Sequence, residues 1–317
     1  MNRLEKIFVH VLSRCADLKE EDVLIVSDPK YDRMIVDALR SAARKFAARP
    51  VTLVIDPDLL TDESIPKPLL ASMKNADLVL LCTHNLIPQR MRKEAADAGA
   101  RLISMSGVGR DIVERCFDVD YEELSKRTKL LAETFQSARE ITFSTNKGTR
   151  LSVQLAGRKC PYLDGITRTG GQLGVLPAGV AGAAPLEGTA RGTIVIDASV
   201  HEIGMVASPI RCDVENGRIV SVEGGREARK LRELLSRDIS AGFCVGEVGG
   251  GTNPRAKYCG NLLEDERVYG SGHVGFGRNS HLGGMIESKV HIDATMRRPT
   301  ICVDGKEVVS SGKITTT

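Results

Sequence analysis

Residues 23–55 read VLIVSDPKYDRMIVDALRSAARKFAARPVTLVI, two short apolar runs on either side of a helical pattern. The runs at 23–27 and 51–55 are continuous and rich in branched side chains, which is typical of strands buried on both faces. Two more such runs follow, LVLLC at 78–82 and RLISM at 101–105, again separated by helical stretches. This alternation predicts a parallel sheet with crossover helices, a Rossmann-like α/β domain.

The turn after the first of these strands, SDPKYD at 27–32, contains no glycine. A dinucleotide site needs glycines there, because the backbone must approach the pyrophosphate closely. The sequence therefore argues against a nicotinamide or flavin site in this domain.

The second half of the chain has the pattern of hairpins. Polar and apolar residues alternate around glycine turns in ITFSTNKGTRLSVQL (141–155), CDVENGRIVSVEGG (212–225) and TICVDGKEVV (300–309). One segment of this half, REARKLRELLSRD (226–238), is typical of a helix. We therefore expect an α/β domain at 1–138, followed by a mainly antiparallel, β-rich domain at 139–317.

Composition limits the class of protein. The 44 basic and 41 acidic residues give a net charge of +3 without a basic stripe, so the sequence argues against a nucleic-acid partner. No apolar run approaches the roughly 20 residues of a membrane span, and the N-terminus resembles an amphipathic helix rather than a signal peptide. The eight cysteines form no CxxC pair. We expect a reduced, cytoplasmic protein.

The stretch SKVHIDATM (288–296) places an imidazole and a carboxylate on one face of a strand. Residues i and i+2 of a strand share a face, so His291 and Asp293 lie opposite Val290 and Ile292. A solvated outer face is the simplest explanation of the polar pair. A proton-transfer dyad is a second, although i and i+2 side chains are poorly placed for that hydrogen bond. A pair of metal ligands is the third.

Two more residues favour a metal. Glu247 ends an apolar strand that runs into a glycine-rich turn, and His273 lies between glycines that leave room around its ring. Imidazole nitrogens and carboxylate oxygens on separate strands suit a divalent first-row ion. We expect Glu247, His273, His291 and Asp293 to be its ligands.

These residues also carry a resemblance to known families. The segments GEVGGGTNP, GSGHVGFG and SKVHID, with LPAGVAGAAPLEGTARGTIVID at 176–197, resemble the metal-binding region of the aminopeptidase T and aminopeptidase S family. They are equally similar to the 2,5-dihydroxypyridine 5,6-dioxygenase family, whose members are mononuclear iron enzymes on the same scaffold. By position, the aminopeptidase resemblance implies the same four ligands, whereas the dioxygenase resemblance implies only the pair His291 and Asp293. The family resemblance also implies a homodimer.

The departures from the aminopeptidase pattern matter for function. Val180 stands where those enzymes have a glutamate ligand, and the loop GRNSHLGG lacks their tyrosine. A two-metal hydrolase uses both ions to clamp the attacking and leaving oxygens, so these losses disfavour it. The resemblance then favours one ion, Fe(II) foremost, with zinc, manganese or cobalt as alternatives.

Other candidate residues lie outside this set. His84, after the third strand, and His281, in GRNSHLGG, are candidate catalytic residues; His281 could instead bind substrate, support a ligand or shape a turn. Asn253 and Arg168 are candidate substrate-binding residues, although Asn253 could simply shape the turn before Pro254. His10 and His201 have the patterns of structural residues.

The sequence thus predicts a metal-dependent enzyme that acts on a small molecule. An oxidative ring-opening reaction on a polar aromatic or heterocyclic compound is favoured. A metal-dependent aminopeptidase or amide hydrolase is the first alternative. A non-catalytic binding protein on a decayed peptidase scaffold is the second.

Overall fold

The computed structural model describes residues 1–56, 60 and 64–315, and in that part the chain divides into two compact units. One unit comprises Met1–Ser125 and Leu163–Ala178, and the other comprises Lys126–Tyr162 and Gly179–Thr317. The first boundary between the units, after Ser125, therefore lies about a dozen residues before the boundary expected at 138. The reason is that Leu131 and Phe135, beyond Ser125, are buried in the core of the second unit.

The first unit is the predicted α/β domain. Its strands are β1 (Asp22–Ser27), β2 (Arg49–Val54), β3 (Leu78–Cys82), β4 (Arg101–Ser104) and β8 (Leu173–Val175). They form one parallel sheet in the order β2-β1-β3-β4-β8. Its helices in the described residues are α1 (Arg3–Ala16), α2 (Arg33–Arg44), α3 (Lys67–Asn75), α4 (Gln89–Asp97) and α5 (Arg110–Cys116). Apolar residues of β1, β3 and β4 pack against α3 and α4 on one face.

Helix α6 (Tyr121–Gln136) contains the division between the units. The second unit then has β5 (Glu140–Ser144), β6 (Arg150–Gln154), β7 (Tyr162–Leu163), β9 (Val180–Ala183), β10 (Arg191–Ile196), β11 (Ser199–Val200), β12 (Gly204–Met205), β13 (Ile210–Glu215), β14 (Arg218–Glu223), β15 (Val245–Gly251), β16 (Gly272–Gly277), β17 (His291–Met296), β18 (Thr300–Val303), β19 (Lys306–Ser310) and β20 (Lys313–Ile314).

These strands form two sheets, and the strands around the site pair in antiparallel orientation. One has the order β14-β13-β10-β6-β5-β18-β19-β20, and the other β12-β11-β17-β16-β15-β9-β7. Inward-facing residues of both sheets, such as Phe143 and Phe276, share one apolar core. The predicted helix is α7 (Arg226–Leu235), and a short α8 (Leu262–Asp265) follows that the sequence did not indicate. The predicted fold class, a parallel α/β part followed by antiparallel sheets, is confirmed.

Within the described residues, no helix combines the length and the apolar character needed to cross a membrane.

Candidate metal centre

Three neighbouring strands of the second sheet carry the predicted ligands. Glu247 lies on β15, His273 on β16, and His291 and Asp293 on β17. In the antiparallel register, Gly275 of β16 lies opposite both Glu247 and Asp293. The two carboxylates thus flank a residue without a side chain. The opposite face of the same strands packs into the apolar core, with residues such as Val248, Val274 and Ile292.

Glycines make room for this polar cluster. A Cβ on Gly275 would lie 2.8 Å from the Cβ of Glu247 and would also collide with the Asp293 carboxylate. A Cβ on Gly182, in β9, would lie 2.6 Å from Oε1 of Glu247, and one on Gly249 would overlap the His273 ring. A pleated sheet with ordinary side chains at these three positions could not hold the four polar groups flat against its surface.

The polar groups lie close together. His291 Nε2 is 3.1 Å from Oδ2 of Asp293, and His273 Nε2 is 3.2 Å from Oε1 of Glu247. The other oxygen of Glu247, Oε2, lies 3.8 Å from Nε2 of both His291 and His281. The structure therefore brings together all four residues that the sequence predicted as ligands.

His281 belongs to the same cluster. It lies in the short 3-10 turn Ser280–Leu282, and its ring meets the His291 ring edge-on at a centroid distance of 4.7 Å. One donor atom each from Glu247, His281 and His291 falls within 4.8 Å of the others, which is close enough for one ion. The sequence predicted His281 as a catalytic residue and left other roles open; the geometry makes it a candidate ligand.

The histidine on β17 is oriented by the backbone. Nδ1 of His291 lies 2.8 Å from the carbonyl oxygen of Arg278, which can only accept a hydrogen bond. Nδ1 therefore carries the proton, and the lone pair of the neutral ring is on Nε2, facing the carboxylates. Metal-binding histidines usually donate such a hydrogen bond from the ring nitrogen that does not bind the metal.

Burial and charge act in opposite directions on the titration of the cluster. Burial alone would lower the pKa of His291, but the carboxylates of Asp293 and Glu247 outweigh it and raise that pKa to about 9. Burial likewise opposes ionisation of Asp293, yet His291 holds the Asp293 pKa below its usual value. The pKa of His281 is lowered by burial and then by repulsion from His291. Without a metal, His291 and Asp293 therefore form a largely buried ion pair.

A buried carboxylate oxygen of the cluster fits a cation better than it fits the metal-free protein. Oδ1 of Asp293 and Nδ1 of His273 are buried and have no hydrogen-bond partner among the described residues. A buried polar atom without a partner is costly, and a bound ion would satisfy the carboxylate oxygen. The donor set, imidazole and carboxylate, is that of a divalent first-row metal. The residues therefore fit such an ion.

Two residues that the sequence analysis did not assign to the site lie beside it. Burial and repulsion from Asp293 raise the pKa of Glu266 to about 7, despite its ion pair with Arg267. The backbone N–H of His201 donates to the carbonyl of Asp293 at 2.9 Å, because His201 directly follows β11, which pairs with β17. The His201 contact comes from the pairing of distant strands, and no local sequence pattern indicates either relationship.

The remaining candidates are placed as follows. His84 is exposed after β3 and donates its backbone N–H to the carboxylate of Asp28. Arg168 pairs with Glu122 at 2.5 Å and donates to the carbonyl of Arg14. These three contacts lie within the first unit, whereas the polar cluster lies in the second.

Asn253 lies in the second unit and is fully buried. Its side-chain oxygen accepts the backbone N–H of Arg255 at 2.9 Å, so it shapes the turn before Pro254. Val180, at the start of β9, is on the same strand face as Gly182 and thus on the side of the cluster. An apolar side chain therefore stands where the aminopeptidase resemblance expects a glutamate.

Known proteins resemble the chain over nearly its full length. It is 23% identical, over an alignment 346 positions long, to the 2,5-dihydroxypyridine 5,6-dioxygenase of Pseudomonas putida, covering 98% of this chain and 96% of the relative. A solved structure of 2,5-dihydroxypyridine dioxygenase from P. putida KT2440 has a TM-score of 0.85 at 21% identity, covering 100% of this chain and 99% of that one. Wild-type AmpT from Thermus thermophilus has a TM-score of 0.69 at 16% identity, with 99% of both chains covered.

At these identities, the likeness to the solved structures establishes the fold alone. The family model provides the assignment, since a model described as 2,5-dihydroxypyridine 5,6-dioxygenase matches residues 3–316. The predicted resemblance is confirmed. The chain belongs to the 2,5-dihydroxypyridine 5,6-dioxygenase family.

Proposed function

We propose that the chain is a metal-dependent dioxygenase that opens the ring of a small polar aromatic or N-heterocyclic compound, with Fe(II) as the favoured ion. The main support is the cluster of Glu247, His281 and His291, whose donor atoms lie within 4.8 Å of one another. Two histidines and one carboxylate with open positions are the donor set of non-haem Fe(II) oxygenases. The family and the activity of the P. putida relative support the same class of reaction.

The chain's own residues would bind and orient. Glu247, His281 and His291 would hold the ion, with Asp293 and His273, the other two ligands predicted from the sequence, beside them. Ionised Asp293 would offset the positive charge, because its pKa stays below the usual value. Bound Fe(II) would supply the redox chemistry with dioxygen that protein side chains lack.

The family and the site support the proposed substrate class. A ring with adjacent or para hydroxyl groups, such as 2,5-dihydroxypyridine, offers polar atoms to an open metal face. His84 is our candidate acid or base for the substrate's hydroxyl proton, because it follows a strand at the carboxyl end of a parallel sheet. Arg168 and Asn253 remain candidates for substrate binding. Both already have partners in the protein, so each would have to exchange or share a contact.

The experiment that tests this function combines metal analysis with oxygen uptake. The protein is loaded anaerobically with Fe(II), the bound metal is counted, and oxygen consumption is followed with 2,5-dihydroxypyridine and a panel of dihydroxylated pyridines and benzenes. One iron per chain and uptake with one of these compounds support the proposal. Iron binding without uptake on any of the compounds would refute the dioxygenase function.

An amide hydrolase is the second candidate, because AmpT has the same fold. Two zinc or cobalt ions per chain, with cleavage of amino-acid amides, would favour it over the dioxygenase. Val180 argues against it, since a valine cannot replace a ligand to a second ion. Absence of affinity for any divalent metal would instead favour a non-catalytic binding protein.

We also propose that the protein forms a homodimer, as the family resemblance implies. The two sheets of the second unit end in edge strands, β20 and β12 among them, and proteins usually cover such edges. Light scattering on the purified protein decides between a monomer and a dimer.

A further inference from the structure

His281 lies in a loop that the apolar core does not hold. None of the residues between Asn279 and Val290 is buried, and Met285 is 76% exposed. Asn279, which is fully buried, closes the loop: its Oδ1 accepts the backbone N–H of Ile286 at 2.8 Å, and its own N–H donates to the Ile286 carbonyl at 3.1 Å. Residues 279–286 form this closed loop, the His281 loop.

A charged pair from outside the loop fastens it to the rest of the second unit. Glu187, between β9 and β10, accepts the backbone N–H of Met285 at 2.8 Å through Oε1. Arg158, after β6, donates from Nη1 to the carbonyl of Gly283 at 2.6 Å. Arg158 Nη2 also pairs directly with Glu187 Oε2. Each partner thus binds the other and one backbone group of the loop.

The pair is well placed to act as a fixed support. The Arg158 and Glu187 side chains are only 13% and 24% exposed, so the bond between them is partly shielded from water, whereas their bonds to the loop backbone lie at the surface. Burial would raise the pKa of Glu187, but the N–H of Met285 and the charge of Arg158 outweigh it and lower that pKa, so Glu187 is ionised at neutral pH. Hydrogen bonds to ionised, partly buried groups are stronger than neutral surface bonds.

We propose that Arg158 and Glu187 are positioning residues that hold the His281 loop so that His281 faces Glu247 and His291. This inference rests on the proposed metal centre, of which His281 is one donor. Without apolar anchors, the position of the imidazole depends on these polar contacts. Outer partners that orient a ligand typically affect metal affinity 10- to 100-fold.

A double-mutant cycle tests the proposal. Co(II) affinity is measured for the wild type, Glu187→Ala, His281→Ala and the double variant. We expect Glu187→Ala to weaken binding about 10-fold in the wild type. It should have less than about a twofold effect in the His281→Ala background, because the residue through which it acts is gone. Equal effects in both backgrounds would show a general structural role and overturn the proposal.

A readout on the metal-free protein separates this inference from the proposed function. The His281 ring protons, edge-on to the His291 ring, should shift in the NMR spectrum of Glu187→Ala. They should stay unchanged in Asp213→Asn, which removes a surface ion pair with Arg211 far from the loop in sequence. If the wild type binds no Co(II), the metal centre fails, and the ring signals alone decide the positioning role. Unshifted His281 signals in Glu187→Ala would overturn it.

Discussion

Asp293 lies 3.1 Å from the ring of His291 through one oxygen, while its other oxygen is buried without a hydrogen-bond partner among the described residues. One carboxylate oxygen is thus paired and the other is available to a ligand. We expect Asp293→Asn to weaken divalent metal binding by at least about 10-fold, because it removes the charge that offsets the ion. Isothermal titration with Co(II) measures the change. Affinity equal to that of the wild type would exclude Asp293 from the centre.

The metal-free protein should lose stability as the pH rises. The folded pKa of His291 is about 9, above the ordinary value of 6.5. A raised pKa means that the folded state binds the proton more tightly, so the stabilisation is complete below pH 6.5 and is lost between 6.5 and 9. Thermal melts of the metal-free protein across this window check the slope. His291→Gln should melt with a flatter dependence, and an identical slope would contradict the ion-pair account.

Metal binding should show the opposite pH dependence. A metal displaces the proton on Nε2 of His291, so affinity should rise over the same window. Co(II) titrations at several pH values, in buffers that do not bind metal, measure this. Affinity that falls with rising pH in this range would argue that His291 is not a ligand.

Gly275 should not tolerate a side chain. A Cβ there would lie 2.8 Å from the Cβ of Glu247 and collide with the Asp293 carboxylate. We expect Gly275→Ala to weaken metal binding and to cost about 1–3 kcal/mol in unfolding free energy, as overpacking does. Gly225→Ala is the matched control, since its Cβ would meet only a side-chain oxygen of Glu227 at 3.8 Å. Chemical denaturation and Co(II) titration of both variants test this.

His84 should matter for turnover and little for folding. It is exposed, so His84→Gln is expected to change stability by less than about 0.5 kcal/mol. If it moves a proton of the substrate, kcat should fall by about 10²–10⁴ while iron content stays at the wild-type level. Steady-state oxygen uptake gives kcat and KM. An unchanged kcat would remove His84 from the proposed chemistry.

The sequence predicted the fold class because strand and helix periodicity are local signals. The apolar runs at 23–27, 78–82 and 101–105 are buried parallel strands in the structure, as expected. The run at 51–55 was wrongly expected to be buried on both faces, since β2 is an edge strand of the sheet and Val51 and Val54 are exposed. The return of residues 163–178 to the first unit could not be predicted. It depends on β8 pairing with β4 about 70 residues earlier in the chain, and LGV carries no signal for that partner.

The site shows the same limit. His291 and Asp293 could be assigned to one face because the period of a strand is two residues. The place of His281 depends on a loop closed by Asn279 and held by Arg158 and Glu187, contacts that span up to 125 residues. Nothing in the sequence assigned Glu266 to the site, since it lies in an ordinary charged stretch. The sequence could therefore assign side chains on regular strands to one face, whereas it named His281 only as a candidate and could not predict its position beside Glu247 and His291.

The central claim is that Glu247, His281 and His291 bind one ion. Crystals loaded with Fe(II) under anaerobic conditions allow an anomalous difference map at the iron edge. We predict a single peak per chain, within about 2.0–2.3 Å of donor atoms from Glu247, His281 and His291. A peak bound elsewhere, or no peak from protein that contains stoichiometric iron, would contradict the claim.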